Sequence, residues 1–82
     1  MKLEEIKTLV KNGSNYNESL SLSDLEKLKS VANVTLEIDR DTNDYYYKVI
    51  LNELAGKEFD KELITKHKWE LSINEEEIKL FI

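Results

Sequence analysis

The chain has 82 residues, 40% hydrophobic and 35% charged, with a formal net charge of −5 and no cysteine. That length allows one hydrophobic core, so residues 1–82 read as a single small globular domain, and the absence of cysteine leaves packing or self-association to supply its stability. The acidic balance speaks against direct nucleic-acid binding, because phosphate contacts need clustered Lys or Arg.

Leu3, Ile6, Leu9 and Val10 recur at helical spacing, with Glu4, Glu5, Lys7 and Lys11 on the other side. Gly13 reads as the stop of this first helix, and residues 14–19 (SNYNES) as a polar loop. A second helix starts at the N-cap Ser21, with Asp24 at its third position and Leu20 placed to staple onto Leu25; Ser23 with Glu26 is the alternative cap. Leu22, Leu25, Leu28 and Ala32 form its apolar stripe.

From Val34 the period changes to two. Val34, Leu36 and Ile38 alternate with Thr35, Glu37 and Asp39, and Tyr45, Tyr47, Val49 and Leu51 alternate with Tyr46, Lys48 and Ile50. Pairing Ile38 with Tyr45 sets Leu36 opposite Tyr47 and Val34 opposite Val49, so that both apolar sets face the core. Glu37, Asp39, Tyr46 and Lys48 are left toward solvent, and Tyr46 is expected to be the exposed ring of the three consecutive tyrosines. The segment from Ala55 to Asp60 turns into a short third helix with Phe59, Leu63 and Ile64 on its buried side. A last hairpin joins Trp69–Ile73 to Ile78–Ile82 through an Asn74–Glu77 turn. Setting Ile73 opposite Ile78 there points Trp69, Leu71, Leu80 and Ile82 inward, and Phe81 outward with Glu70 opposite. The expected fold class is α+β. Two hairpins supply an antiparallel sheet of about four strands, with two N-terminal helices and a short helix between the hairpins, in the order ααββαββ.

Equipment for catalysis is sparse. A single histidine, His67, lies between Lys66 and Lys68 and reads as a solvated residue at a helix end. Two glycines cannot build a phosphate-binding loop. Asp39, Asp41 and Asn43 match the first three ligand positions of a calcium loop, but Asp44 stands where the sharp-turn glycine belongs and Ile50 where the closing glutamate belongs. No catalytic, cofactor or metal residue is therefore assigned, and the expectation is a protein that is not an enzyme.

The acidic hairpin is the stronger clue. Glu37, Asp39, Asp41 and Asp44 crowd one end, and Asp39 opposite Asp44 is mildly repulsive, by about 0.2–1 kcal/mol for such a pair. A cationic partner relieves that repulsion. Tyr46 adds a ring of the kind enriched at binding hot spots, and Glu75, Glu76 and Glu77 form a second acidic tip. These eight residues are the expected partner-binding set, and the expected partner is a protein with a basic surface.

The N-terminal MKLEEIKTLVKN carries charges where a secretory signal needs an apolar run, and no segment reaches the length of a membrane span. Eleven lysines against one arginine, with abundant Ile, Asn and Glu, suggest AT-rich codons and a low-GC bacterium or its phages. The expected location is the cytoplasm of a bacterium or phage-infected host. In size and charge the chain resembles, in type only, small phage-encoded anti-defence proteins, anti-CRISPR proteins among them. That likeness implies an inhibitor whose carboxylates stand in for phosphates in a basic nucleic-acid-binding groove. The alternative expectation is a homo-oligomeric adaptor or a toxin's immunity partner, joined through the outer sheet face with Tyr46 and Phe81 in the seam; a homodimer belongs to that reading.

Overall fold

The structure is a computed structural model that describes residues 1–12 and 19–82. The expected helix stop at Gly13 and all but the last residue of the polar loop lie outside the described residues. Two helices come first, α1 (Leu3–Lys11) and α2 (Leu22–Val31). Strands β1 (Val34–Asp39) and β2 (Asp44–Ile50) follow, then a 3-10 turn (Leu51–Leu54), helix α3 (Lys61–Lys66) and strands β3 (Trp69–Leu71) and β4 (Glu77–Phe81). The protein is α+β, in the order expected from its periodicities.

Local chemistry explains the boundaries. Ser21 caps α2, its hydroxyl accepting from the Asp24 amide at 3.1 Å, and Asp60 caps α3 by accepting from the Glu62 amide at 2.9 Å. Each cap satisfies a backbone donor that the first helical turn cannot. Gly56 takes φ +79° between the 3-10 turn and α3, a left-handed conformation that costs glycine nothing. The strand expected to run to Leu51 ends one residue earlier, because Leu51 turns into the core as the first residue of the 3-10 turn.

The four strands form one antiparallel sheet in the order β1-β2-β4-β3. The first hairpin has the expected register, with Ile38 opposite Tyr45, Leu36 opposite Tyr47 and Val34 opposite Val49. The second hairpin differs: Leu71 and not Ile73 lies opposite Ile78, and Trp69 lies opposite Leu80. The slip is two residues, so inward and outward faces are preserved, but the turn is longer than expected. A backbone bond and two side-chain bonds hold it. The Ser72 amide donates to the Glu77 carbonyl at 2.9 Å, the Glu77 amide donates to Ser72 Oγ at 3.1 Å, and the Glu76 amide donates to Asn74 Oδ1 at 3.2 Å. Ser72 and Asn74 thus offer the chain a turn that two more ladder rungs do not match. Ile73 is left fully in water, Glu77 becomes the first residue of β4 instead of part of the tip, and Glu70 faces Lys79 while Phe81 pairs with Tyr46.

The core lies on one face of the sheet. Val49, Ile78, Leu80 and Trp69 meet Ile6, Val10, Leu28, Ala32, Leu51, Leu54, Phe59, Leu63 and Ile64 there. Trp69 anchors it, donating its indole N–H to the Leu63 carbonyl at 2.9 Å and meeting the Phe59 ring edge-on at 6.0 Å. Leu22, expected in the stripe of α2, is 72% exposed. Among the described residues no helix is long and apolar enough to cross a membrane.

Candidate functional site

The two acidic tips occupy opposite ends of the sheet. Tyr46 pairs with Phe81 and Ile50 with Glu77, so the turn after β1 lies beside the end of β4, and the turn before β4 lies beside the end of β2. The Leu51 amide donating to the Glu76 carbonyl at 2.8 Å fixes the second turn there. The eight expected binding residues therefore do not form one surface.

At the second tip the carboxylates serve the fold. Glu75 sits in the left-handed region at φ 58°, a conformation unusual for its residue type, and forms an ion pair with Lys11 at the end of α1. That pair holds the Glu75 carboxyl below its usual range. The Glu76 carboxylate accepts from the Asn74 side-chain Nδ2 at 3.3 Å, and Glu77 lies in the ladder.

The outer face of the sheet is likewise occupied by its own side chains. Lys48 pairs with Glu37 at 3.2 Å, and that contact pushes the Lys48 ammonium pKa up. Tyr46 is half-buried, not the exposed ring expected: it meets Phe81 at 6.1 Å between centroids, and Lys79 lies over it at 5.0 Å. Lys68 covers Phe81 in the same way at 5.1 Å. Ring and cation attract in this geometry, so lysines close the surface that the alternation of the strands left outward.

The first tip is different. The Asp39 carboxylate accepts from the Asp41 amide at 2.9 Å, an Asx turn that shapes the loop, and Asn43 at φ 59° completes it. Among the described residues neither Asp41 nor Asp44 takes part in an ion pair. Beside these carboxylates lies apolar surface. Leu36 is 54% exposed, Ile38 43%, Tyr45 56% and Ile82 64%, although all four alternate onto the core face. The register explains three of them: Ile38 faces Tyr45, and Ile82 comes beside Tyr45 one step beyond the Tyr46–Phe81 pair, while Leu36, opposite Tyr47, lies on the edge strand. The strands of the first hairpin outreach the helical layer, which covers the next row (Tyr47, Leu80, Trp69) and stops. Leu36, Tyr45 and Ile82, with Asn43, Asp44, Lys68 and Phe81, line an open depression of about 570 Å³. Strand lengths carried a signal of this overhang, since β1 and β2 have six and seven residues and β3 only three.

His67 was expected in solvent and is 1% exposed. Its Nε2 donates to Asp24 Oδ2 at 3.1 Å, bridging the end of α3 to the first turn of α2. The Asp24 carboxyl is held below its ordinary range, chiefly by this hydrogen bond, against the opposing effect of partial burial and with help from Lys66 and Ser21. The residue ties elements together. Its flanking lysines misled because strand-like alternation begins at residue 67, turning Lys66 and Lys68 out and His67 in. Among the described residues no group of three or more His, Cys, Asp or Glu is placed to hold a metal ion.

No protein-family model matches the chain, and no curated protein or solved structure is significantly similar to it.

Proposed function

We propose that this protein is a non-enzymatic binding module that grips a basic protein partner with the tip of its first hairpin. The observation that carries the reading is the coincidence, at one end of the sheet, of bare apolar side chains (Leu36, Ile38, Tyr45, Ile82) with the carboxylates of Asp39, Asp41 and Asp44. Apolar surface of this kind marks contact sites. Acid around it selects a partner of opposite charge and speeds encounter. The fitting partner surface is an apolar knob set among Lys or Arg. A groove that normally holds nucleic acid has that character, and small size with net charge −5 suits an inhibitor that occupies one. Anti-defence proteins of phages and mobile elements are the type this reading points to.

The partner-binding set narrows accordingly. Asp39, Asp41 and Asp44 stay in it, Tyr45 replaces Tyr46, and Glu37, Glu75, Glu76 and Glu77 leave it because they serve the fold.

Capture of partners from host lysate by the immobilised protein tests the reading, with three baits in parallel. The wild type retains a basic protein at low salt and releases it as salt rises. A triple variant with Asp39, Asp41 and Asp44 changed to Asn retains none, whereas Glu75→Gln with Glu76→Gln retains it as the wild type does. Retention by the triple variant contradicts the proposal.

A further inference from the structure

We infer that β1 is a self-pairing edge and that two copies of the chain join through it into one continuous eight-stranded antiparallel sheet. The strand order leaves β1 and β3 at the edges. Exposed edges offer unpaired backbone donors and acceptors to another chain, and proteins blunt them with short strands, lysines, prolines or bulges. Edge β3 is protected in this way: it has three residues and is flanked by Lys68. Edge β1 is not. It runs six residues as Val-Thr-Leu-Glu-Ile-Asp, with no lysine or proline, and pairs with β2 without a bulge. Its Leu36 and Ile38 stay in water on the core side of the sheet.

The sequence of β1 also specifies how two copies fit. An antiparallel twofold that keeps the core sides of both sheets together must pass through a residue of the strand, and three centres are available. Centring on Thr35 leaves Ile38 beyond the paired segment. Centring on Glu37 sets two glutamates directly across from one another, which repels. Centring on Leu36 pairs Leu36 with Leu36 and Val34 with Ile38 of the second copy, joining all the core-side residues of β1. It also sets each Glu37 against Thr35 and each Asp39 against Asn33, so no like charges meet. In this arrangement the hairpin tips point to opposite ends of the dimer, where their carboxylates, Tyr45 and Ile82 remain free for a basic partner, while Leu36 and Ile38 pass from the tip surface into the seam. The seam is the sheet edge, with Tyr46 and Phe81 on the outer face taking no part.

The absence of native cysteine makes the test clean. Light scattering on the full chain at about 100 µM, where a micromolar dimer is mostly associated, gives about twice the monomer mass of 9.6 kDa. Leu36→Lys places two ammonium groups across the twofold and weakens association by about tenfold or more, a change of about 1.4 kcal/mol. The exposed position keeps the monomer folded, as far-UV circular dichroism verifies. Leu36→Cys forms an intermolecular disulfide readily, because directly paired Cα atoms about 4.5–5.5 Å apart lie within disulfide reach. Ile38→Cys does not, its two copies being about 13 Å apart along the strands. A wild type that is monomeric at that concentration overturns the inference. So does a dimer indifferent to Leu36→Lys, or cross-linking at residue 38 as fast as at residue 36.

Discussion

The two hairpins of this protein are alike in sequence character and opposite in what they do. Each joins strands of alternating apolar residues through an Asp-, Asn- or Glu-rich turn. In the second, Trp69, Ile78 and Leu80 are buried, and the turn is tied down by Ser72, Asn74 and the Lys11–Glu75 pair. In the first, Leu36, Ile38 and Tyr45 on the core-side face stay exposed, and Asp41 and Asp44 lie at the tip outside any described ion pair. Apolar alternation reports which way a side chain points. Whether anything lies there to cover it depends on the reach of the neighbouring layer.

Truncations provide the sharpest separation. Trp69→Ala removes a buried ring and an indole hydrogen bond, and is expected to lower unfolding free energy by about 3–5 kcal/mol in urea titrations, enough to unfold a domain this small under ordinary conditions. Tyr45→Ala, which removes as prominent a ring from the first hairpin, changes stability by less than about 1 kcal/mol. Similar losses at the two positions break the comparison.

The buried bridge comes next. His67→Ala is expected to cost about 2–3 kcal/mol, from the cavity and from the lost partner of Asp24. The same bridge gives stability a pH dependence. Asp24 has a folded pKa below its ordinary value of 3.8. Its contribution is therefore complete above that value and is lost as pH falls through the lower folded pKa. Thermal melts of the wild type decline in that acid window, and Asp24→Asn flattens the decline. An unchanged acid profile in Asp24→Asn contradicts the assignment.

Smaller effects refine the picture. Ser21→Ala loses the cap of α2 and about 1 kcal/mol, readable as a lower urea midpoint. Changing Asp39, Asp41 and Asp44 together to Asn leaves stability unchanged or slightly higher, since it removes the repulsion of Asp39 against Asp44 across the ladder. Glu75→Gln moves the melting temperature slightly downward, because Glu75 has a native ion-pair partner and the tip aspartates have no ion pair among the described residues.

The periodicities of the sequence carried the element order, the cap at Ser21 and the full register of the first hairpin, for all of these rest on short-range patterns. Three features were not fully legible there. The two-residue slip of the second hairpin arises from Ser72 and Asn74 side chains competing with ladder rungs, and apolar alternation cannot see an even slip because the faces are unchanged. His67 was placed by its charged neighbours, whereas its burial depends on Asp24, which lies 43 positions away. The binding tip was half legible. Its acid could be read from Asp39 to Asp44, but the exposure of Leu36, Ile38 and Tyr45 follows from how far the helical layer reaches, and Tyr46 lost its expected role to Lys79 and Phe81.

Site-directed photocrosslinking addresses the central claim most directly. A benzophenone amino acid is placed in turn at Tyr45 and at Ile73, both exposed and at opposite ends of the sheet, and each variant is irradiated in host lysate. A covalent adduct with a basic host protein is expected from position 45 and none from position 73. An adduct from position 73 alone, or from neither position, contradicts the claim.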